Sequence, residues 1–319
     1  MNLKPVEHLL SVDCLYLMKR NPISEKIYTK PSSPVYSMPP AEKPDYTSTL
    51  STADSLTLFM QGWEPDEPPR SVIVIVHGYG DHSSRYADLA SHFVQQGHTV
   101  QTYDQRGHGR SEGRRAYINT FDQYLDDLRA FLASVRQRFK KFPVYLLGQS
   151  MGGAIAVLYC LEREADFQGL VLCSAALKAH DDMAPLLQKL SSVAGRLLPR
   201  LPTISLDLDA LSRDPAVVRW TREDLLYYHG RMPARTGSEM LRAMQRIDQQ
   251  VENLTLPLLL IHGTADKITD PAGSIACYER ANSDDKTLGL YPDLYHETFN
   301  EPEKEQVIEE ITTWLDEHL

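Results

Sequence analysis

Short runs of strand-forming residues alternate with stretches of helical periodicity from Tyr46 to the end of this chain. Alternation of this kind indicates parallel strands joined by helices that cover both faces of one sheet. With 319 residues, of which 42% are hydrophobic, the chain has enough apolar side chains for one large core. The sequence predicts an α/β fold with a mostly parallel sheet, with strands near residues 56–60, 72–76, 99–104, 144–147, 170–173, 256–262 and 287–291.

Two segments outside this alternation set the predicted domain organisation. A proline-rich run over residues 30–44 cannot form a helix or a central strand, so we expect an N-terminal extension. Between Ser174 and about Glu239 there is no strand-like run, which indicates a helical cap inserted above the sheet. The predicted boundaries are 1–45 for the extension, 46–177 and 240–319 for the two parts of the core, and 178–239 for the cap.

The predicted cap carries one apolar stripe at three- and four-residue spacing, with basic residues on its polar side. Two interpretations are open. The stripe packs on the domain beneath it, or it forms the wall and mouth of an acyl-binding pocket that makes transient contact with a membrane surface. Packing on the domain is the first interpretation, and the basic residues on an otherwise acidic chain keep the second one open. The stripe consists of Leu186, Leu187, Leu190, Val193, Ala194, Leu197, Leu198 and Leu201, and the basic residues are Lys189, Arg196 and Arg200.

Ser150 lies between an apolar strand-like run, 143–147, and a helical run, 153–161, in the sequence Gly148-Gln-Ser-Met-Gly152. A serine on so sharp a turn adopts strained backbone angles, which only small neighbours such as the two glycines allow. The strain pushes the serine hydroxyl into the open. This context predicts a nucleophile elbow and, with it, the chemistry of a serine hydrolase.

A second glycine motif, His77-Gly-Tyr-Gly80, directly follows the apolar run 71–76. Acyl transfer passes through a tetrahedral oxyanion, which needs preorganised N–H donors to stabilise its charge. We expect the backbone N–H groups of Met151, the residue after the nucleophile, and of Tyr79 to supply them. His77 is expected to hold the loop through a hydrogen bond.

A serine nucleophile needs a histidine base, and the histidine needs a carboxylate that fixes its tautomer. In α/β-hydrolases these three residues follow the order Ser, acid, His. Asp266 follows a late predicted strand in Gly263-Thr-Ala-Asp266, and the rival acids Asp270 and Asp293 are interpreted as solvated loop charges. Of the two later histidines, His318 is the penultimate residue, where fraying prevents a rigid geometry. The predicted triad is therefore Ser150, Asp266 and His296.

The loop 104–111, Asp-Gln-Arg-Gly-His-Gly-Arg-Ser, is dense in charge and glycine. Such a composition beside a site can indicate phosphate binding, but the loop lacks the lysine and the spacing of a P-loop. We expect it to brace the structure.

The composition argues against several classes of function. A net charge of −10 gives no basic face for nucleic acid, so we expect no nucleic-acid partner. The four cysteines lack metal-ligand spacing and are interpreted as free thiols in a reducing compartment. The apolar run 9–18 contains Asp13 and lacks a small-residue cleavage site, and the chain has no stretch of eighteen apolar residues. We expect a cytoplasmic protein, peripheral to membranes at most, that uses no metal or cofactor.

Five motifs, taken in order, resemble the monoacylglycerol lipase and lysophospholipase-like group of the α/β-hydrolase fold, also called serine aminopeptidase-like hydrolases. The resemblance covers about residues 46–319. Together the motifs are specific for the group but not for one substrate within it. They are His77-Gly-Tyr-Gly80 with Asp81-His-Ser-Ser-Arg-Tyr86, Asp104-Gln-Arg-Gly-His-Gly-Arg-Ser111, Gly148-Gln-Ser-Met-Gly-Gly153, Gly263-Thr-Ala-Asp266 and Tyr295-His296.

The resemblance implies hydrolysis of one fatty acyl ester from glycerol or a similar small alcohol, with the acyl chain in an apolar tunnel under the cap. It implies that Asp81 and Arg85 lie near the glycerol end of a small lipid ester, although an exposed Asp and Arg equally form a surface pair. The chain departs from the group at Gln149, where His is usual, and in its N-terminal extension. The nearest subfamily therefore stays open.

Several other functions are compatible with the same triad. A lysophospholipase or a short-chain carboxylesterase differs only in the shape of the cap. An acyltransferase uses an alcohol in place of water, which a dry pocket favours. A peptidase needs an acidic cluster for the substrate's free amine, and no committed cluster is evident. A noncatalytic ligand receptor usually lacks a triad member, whereas all three are present here.

Overall fold

The computed structural model describes residues 43–179 and 193–319, and the strands of this part of the chain form one eight-stranded sheet. The strand order is β1-β2-β4-β3-β5-β6-β7-β8. The strands are β1 (Tyr46–Ser51), β2 (Thr57–Trp63), β3 (Val72–Val76), β4 (Thr99–Tyr103), β5 (Val144–Gln149), β6 (Gly169–Cys173), β7 (Leu258–Gly263) and β8 (Lys286–Tyr291).

The sheet is mostly parallel, as the alternation predicts. β2 pairs antiparallel with both β1 and β4, and all other neighbouring strands are parallel. Every residue of β3, β4, β5, β6 and β7 is buried, which requires cover on both faces of the sheet. Because parallel strands end at the same edge, the loops that follow β3, β5 and β7 meet there.

The strand predictions omit β1, which the structure shows at the edge of the sheet. Its sequence, Tyr-Thr-Ser-Thr-Leu-Ser, has few apolar residues, and most of its side chains are exposed. An edge strand with one partner needs no apolar face of its own, so the periodicity that identifies the central strands is missing here.

Helices connect the parallel strands, and one more helix follows the last strand. They are α1 (Ala87–Gln95), α2 (Asp122–Arg138), α3 (Met151–Arg163), α4 (Pro215–Glu223), α5 (Ala234–Gln250), α6 (Pro271–Arg280) and α7 (Lys304–Glu317). α3, which follows β5, is buried along almost its whole length, from Met151 to Cys160. A helix without a polar face is a core helix, so the start of α3 is held firmly against the sheet.

The loop 104–111 braces the structure, as expected. The buried guanidinium of Arg106 lies 2.6 Å from the Asp127 carboxylate on α2 and 2.8 Å from Asp54 in the β1–β2 turn. The buried carboxylate of Asp104 accepts hydrogen bonds from the backbone N–H groups of Ser83 and Arg110, each at 2.7 Å. The charges of this loop are therefore used within the fold.

The segment between β6 and β7 contains α4, α5 and a short 3-10 helix, Leu208–Ala210, but no named strand in its described part. Its only described pairing of strand type is an isolated bridge between Pro202 and Pro233. Four described residues of the apolar stripe are exposed and do not pack on the domain beneath it: Val193, Leu197, Leu198 and Leu201. Leu186, Leu187, Leu190 and Lys189 lie outside the described residues.

Three cysteines in the described residues, Cys160, Cys173 and Cys277, are buried free thiols. Burial raises the pKa of Cys173 to about 12, so this thiol stays protonated. Cys14 and most of the predicted N-terminal extension lie outside the described residues. In 43–179 and 193–319, no helix combines the length and the apolar composition needed to cross a membrane.

Candidate active site

Ser150 occupies the turn between β5 and α3 with φ 54° and ψ −121°. A positive φ is rare for a residue with a side chain and costs free energy unless the surrounding structure enforces it. The turn is held from several sides: the Ser150 N–H donates to the Cys173 carbonyl at 3.1 Å, and the Ser150 carbonyl accepts from the N–H groups of Gly153 and Ala176. This is the geometry of the predicted elbow.

Gly152 explains why the elbow needs glycine. A Cβ atom added there would lie 1.9 Å from the carbonyl oxygen of Val76 and 2.6 Å from that of His77. At Gly148 a Cβ atom would lie 2.6 Å from the carbonyl oxygen of Gly152. The start of α3 thus rests directly on the end of β3, which places the serine beside the loop that follows β3.

The carboxylate of Asp266 contacts the ring of His296 in the loops that follow β7 and β8. Nδ1 of His296 lies 2.8 Å from Oδ2 of Asp266, and both residues are buried. Oδ1 of Asp266 accepts the backbone N–H groups of Ile268 at 2.7 Å and Thr269 at 3.1 Å. A carboxylate held in this way fixes the tautomer with the proton on Nδ1, so Nε2 of His296 is left to accept a proton.

The pKa values of the two residues shift in opposite directions. Burial favours the protonated form of Asp266, but the charge of His296 and the hydrogen bonds from the His262 and His296 rings outweigh burial, and the pKa of Asp266 is lowered. Burial favours the neutral form of His296, but the charge of Asp266 and the hydrogen bond to it raise the pKa of His296 above its ordinary value. The pair therefore stabilises an imidazolium beside a carboxylate.

Ser150 and His296 line the same cavity, whose volume is about 510 Å³. Tyr79 and Met151, the predicted oxyanion donors, line it as well, as does Asp81. Most of the remaining wall is apolar and includes Ala176, Ala194, Ile204, Leu206, Leu211, Met232, Met240, Leu241 and Met244. Asp266 lies behind His296, outside this lining.

The two expected oxyanion donors lie on rigid supports. Met151 is the first residue of α3, where a backbone N–H has no partner within the helix. The prediction for His77 is confirmed, since its Nε2 accepts the Gln105 N–H at 2.9 Å and its Nδ1 lies 2.8 Å from the carbonyl oxygen of Gly78. These bonds fix the loop that carries Tyr79.

Asp81 and Arg85 are buried, so the expectation of an exposed surface pair is wrong. Nε of Arg85 lies 2.9 Å from Oδ1 of Asp81, and Nη2 donates at 2.8 Å to the carboxylate of Glu297. Nη1 donates to the Thr221 hydroxyl on α4 at 2.8 Å. Asp81 lines the cavity and Arg85 stands behind it, where it links α4 to the residue next to His296.

Sequence reasoning missed two residues of this site. Glu297 lines the cavity and accepts the guanidinium of Arg85. His262, on β7, lies 3.2 Å from Oδ2 of Asp266. A signal for Glu297 was its position directly after the predicted base, whereas His262 reads as the end of a buried strand. In the described residues, no group of three or more His, Cys, Asp or Glu side chains is placed to hold a metal ion.

Comparison with known proteins shows the family of this chain. Residues 67–303 match the family described as serine aminopeptidase, S33. The chain belongs to this family. Membership confirms the resemblance drawn from the five motifs, all of which lie within the matched region.

Several similar proteins carry lipase names. A monoacylglycerol lipase of Mycolicibacterium smegmatis is 38% identical over 257 residues, which cover 81% of this chain and 92% of that protein. The monoglyceride lipase of Homo sapiens is 35% identical over 269 residues, 83% of this chain and 89% of that protein. The crystal structure of Paleococcus ferrophilus monoacylglycerol lipase is similar with a TM-score of 0.73 and 32% identity, covering 82% of this chain and 99% of that one. The predicted α/β-hydrolase fold is confirmed.

Proposed function

We propose that this S33-family chain is a serine esterase that hydrolyses monoacylglycerol to a fatty acid and glycerol. The observation that carries the proposal is that Ser150 and His296 share a mainly apolar cavity, with Asp266 bonded to the far side of the histidine ring. The monoacylglycerol lipase names of relatives that are 33–38% identical over most of the chain support this choice of substrate.

In the proposed reaction, Nε2 of His296 takes the proton of the Ser150 hydroxyl as its oxygen attacks the ester carbonyl. The imidazolium that forms is stabilised by Asp266, which stays ionised. His296 then gives the proton to the leaving glycerol oxygen, which leaves an acyl group on Ser150. Water, activated by the same histidine, releases the fatty acid and regenerates the serine.

The negative charge that develops on the carbonyl oxygen needs donors already in place. We assign this role to the backbone N–H groups of Tyr79 and Met151, both of which line the cavity beside Ser150. The N-terminus of a long buried helix adds a favourable dipole at Met151. Only the backbone is required, so side-chain substitutions at these two positions test packing more than chemistry.

We assign the apolar wall of the cavity to the acyl chain and its polar end to the alcohol. Asp81 and Glu297 place carboxylate groups at that end, where they can accept hydrogen bonds from hydroxyl groups. Arg85 acts through these two carboxylates, because it pairs with both and does not line the cavity. We therefore assign Asp81 a direct role in substrate binding and Arg85 an indirect one.

We also propose that residues 178–239 serve as the cap over this cavity. In their described part they supply a large share of its lining: Ala194, Thr203, Ile204, Leu206, Leu211, Tyr227, Met232, Ala234 and Gly237. Because apolar substrates partition into membranes, we expect the cap to meet them at the membrane surface. Exposed apolar side chains at Val193, Leu197, Leu198, Leu201 and Ile204, beside Arg196 and Arg200, support transient contact with an acidic lipid surface.

The test is a comparison of kcat/KM for monoacylglycerols of increasing chain length, p-nitrophenyl butyrate and a lysophospholipid, with Ser150→Ala as the blank. We expect a preference for long-chain monoacylglycerol. A preference for the butyrate ester would indicate a short-chain carboxylesterase, and a preference for the lysophospholipid would indicate a lysophospholipase.

A single position sharpens this test. Gly237 on α5 lines the cavity, and a Cβ atom added there meets Met232, with Sδ at 3.3 Å and Cγ at 4.0 Å. Because a methionine side chain yields easily, Gly237→Leu should narrow the cavity while the fold is kept. We expect it to lower kcat/KM for long-chain monoacylglycerol and to leave p-nitrophenyl butyrate nearly unchanged. An equal effect on both substrates would place the acyl chain elsewhere.

A further inference from the structure

Oδ2 of Asp266 has more neighbours than a catalytic triad requires. Besides Nδ1 of His296 at 2.8 Å, it lies 2.7 Å from the Thr269 hydroxyl and 3.2 Å from Nε2 of His262. The Thr269 hydroxyl has a single proton and a second acceptor, the Ser174 carbonyl at 3.0 Å. The same hydroxyl lies 3.3 Å from Nε2 of His262 and 3.2 Å from Nδ1 of His296, so Oδ2 of Asp266 is shared by the two histidine rings and this hydroxyl.

The contacts of the two ring nitrogens of His262, taken together, indicate its tautomer. Nδ1 of His262 lies 2.7 Å from the hydroxyl of Ser274 on α6, and both residues are fully buried. If Nε2 lacked a proton, its lone pair would face the carboxylate oxygen of Asp266 at 3.2 Å, which is repulsive. The proton therefore sits on Nε2 and points at Asp266, while the Ser274 hydroxyl donates to Nδ1.

His262 acts at a distance from the reacting atoms. It lies inside β7, four residues before Asp266, and the side chains of both residues have no exposed surface. It is absent from the residues that line the cavity. Any effect of His262 on the reaction has to pass through Asp266.

We propose that His262 is a positioning residue for the reaction assigned above: its Nε2–H shares Oδ2 of Asp266 with His296 and holds the carboxylate in the orientation that His296 needs. The inference rests on the proposed function, because it gives Asp266 the role of orienting the base. A second donor on one oxygen takes up part of its negative charge, so the carboxylate binds the His296 proton less strongly than it would alone.

Loss of this donor has two expected consequences. The carboxylate is less well oriented, so kcat falls about tenfold or more while KM stays unchanged, as expected when a hydrogen bond to a charged group is lost. The carboxylate also becomes more basic, which favours the imidazolium form of His296. The acid limb of the kcat/KM profile then moves to higher pH by roughly half a unit. Besides Asp266, the charged groups that act on His296 are Glu297 and Asp81, and the substitutions leave both in place.

A matched pair of substitutions separates this role from simple packing. The amide nitrogen of His262→Gln can reach the position of Nε2 and donate to Asp266. The shorter amide of His262→Asn reaches the position of Nδ1, beside Ser274, and leaves Asp266 without its second ring donor. We expect the Gln variant to keep the wild-type pH profile, with kcat within about threefold of wild type, and the Asn variant to show both changes.

The readouts are kcat, KM and the pH profile with p-nitrophenyl butyrate, together with the rate at which a fluorophosphonate labels Ser150. Equal behaviour of the two variants, or an unmoved acid limb in His262→Asn, would overturn the inference. If the Asn variant fails to fold in a thermal unfolding scan, His262→Leu decides, since it removes the ring donor to Asp266 and fills the buried space: an upward shift of its acid limb supports the inference and an unmoved one overturns it. Absence of labelling in the wild type would overturn the proposed function itself, so the two failures are distinguishable.

Discussion

Nδ1 of His296 lies 2.8 Å from Oδ2 of Asp266, although 30 positions separate the two residues along the chain. Both are buried, and the loops that carry them follow the neighbouring strands β7 and β8. The parallel sheet brings these loops to the edge where the elbow also lies. This contact fixes which ring nitrogen of His296 faces the cavity, and the first two predictions depend on it.

Asp266→Asn should lower kcat by about four orders of magnitude, because an amide nitrogen at this position favours the tautomer with the proton on Nε2. Such a ring cannot accept the Ser150 proton. The control is Asp293→Asn: Asp293 is an exposed turn residue with φ 64°, a conformation that Asn tolerates. Steady-state turnover of both variants checks the assignment, and a large loss in the Asp293 variant alone would make Asp293 the acid.

Activity should fall toward acid pH with a midpoint above the ordinary histidine pKa of about 6.5. His296 acts as a base only when neutral, and the charge of Asp266, with smaller effects of Glu297 and Asp81, raises its pKa despite burial. A raised pKa means that the proton is held to higher pH, so the acid limb moves upward. The measurement is log kcat/KM against pH with an ester that does not itself ionise. A midpoint below 6.5 would contradict the assignment.

Gly152→Ala should destabilise the fold by about 2 kcal/mol or more, because its Cβ atom would lie 1.9 Å from the Val76 carbonyl oxygen and backbone has to move. Gly237→Ala is the matched control in another helix, where the nearest neighbour is the flexible Met232 side chain at 3.3 Å. Thermal unfolding of the two variants compares them. A wild-type melting temperature for Gly152→Ala would show that α3 does not rest on β3 in this way.

Asp127→Asn should cost about 3 kcal/mol of folding stability, because it removes the carboxylate charge that faces the buried Arg106 guanidinium. Burial raises the pKa of Asp127, and Arg106 opposes that effect. The neighbouring residue Asp126 gives the control: it pairs with Arg129 on the surface, so Asp126→Asn should change stability by less than about 0.5 kcal/mol. If urea unfolding gave the same loss of unfolding free energy for both variants, the buried pair of Arg106 and Asp127 would contribute no more to stability than the surface pair of Arg129 and Asp126.

The elbow could be predicted from sequence because its causes are local. Gly148 and Gly152 lie within two residues of Ser150, and the steric contacts that demand glycine leave a direct trace in the spacing. The α/β order could also be predicted, since four of the five central strands that are buried on both faces consist mainly of apolar residues. The chain order of serine, acid and base then left few choices for the other two residues.

Other features have causes that lie far apart in the sequence. The ion pair between Arg85 and Glu297 joins residues 212 positions apart, so a motif that includes Arg85 gives no sign that the side chain is buried. His262 reads as the end of a strand, and its contact with Asp266 depends on how the turn after β7 folds back. β1 lacks an apolar pattern because it is an edge strand. Sequence predicts local geometry better than it predicts long-range partners.

The most direct test of the central claim is a quenched reaction of the protein with a long-chain monoacylglycerol, followed by mass analysis of the protein and of its peptides. We predict an increase by one acyl group on the peptide that contains Ser150 in the wild type. Ser150→Ala should show no such increase and should fold normally, with turnover below about one-thousandth of wild type. An acyl group on another residue, or turnover by Ser150→Ala above that level, would show that Ser150 is not the nucleophile.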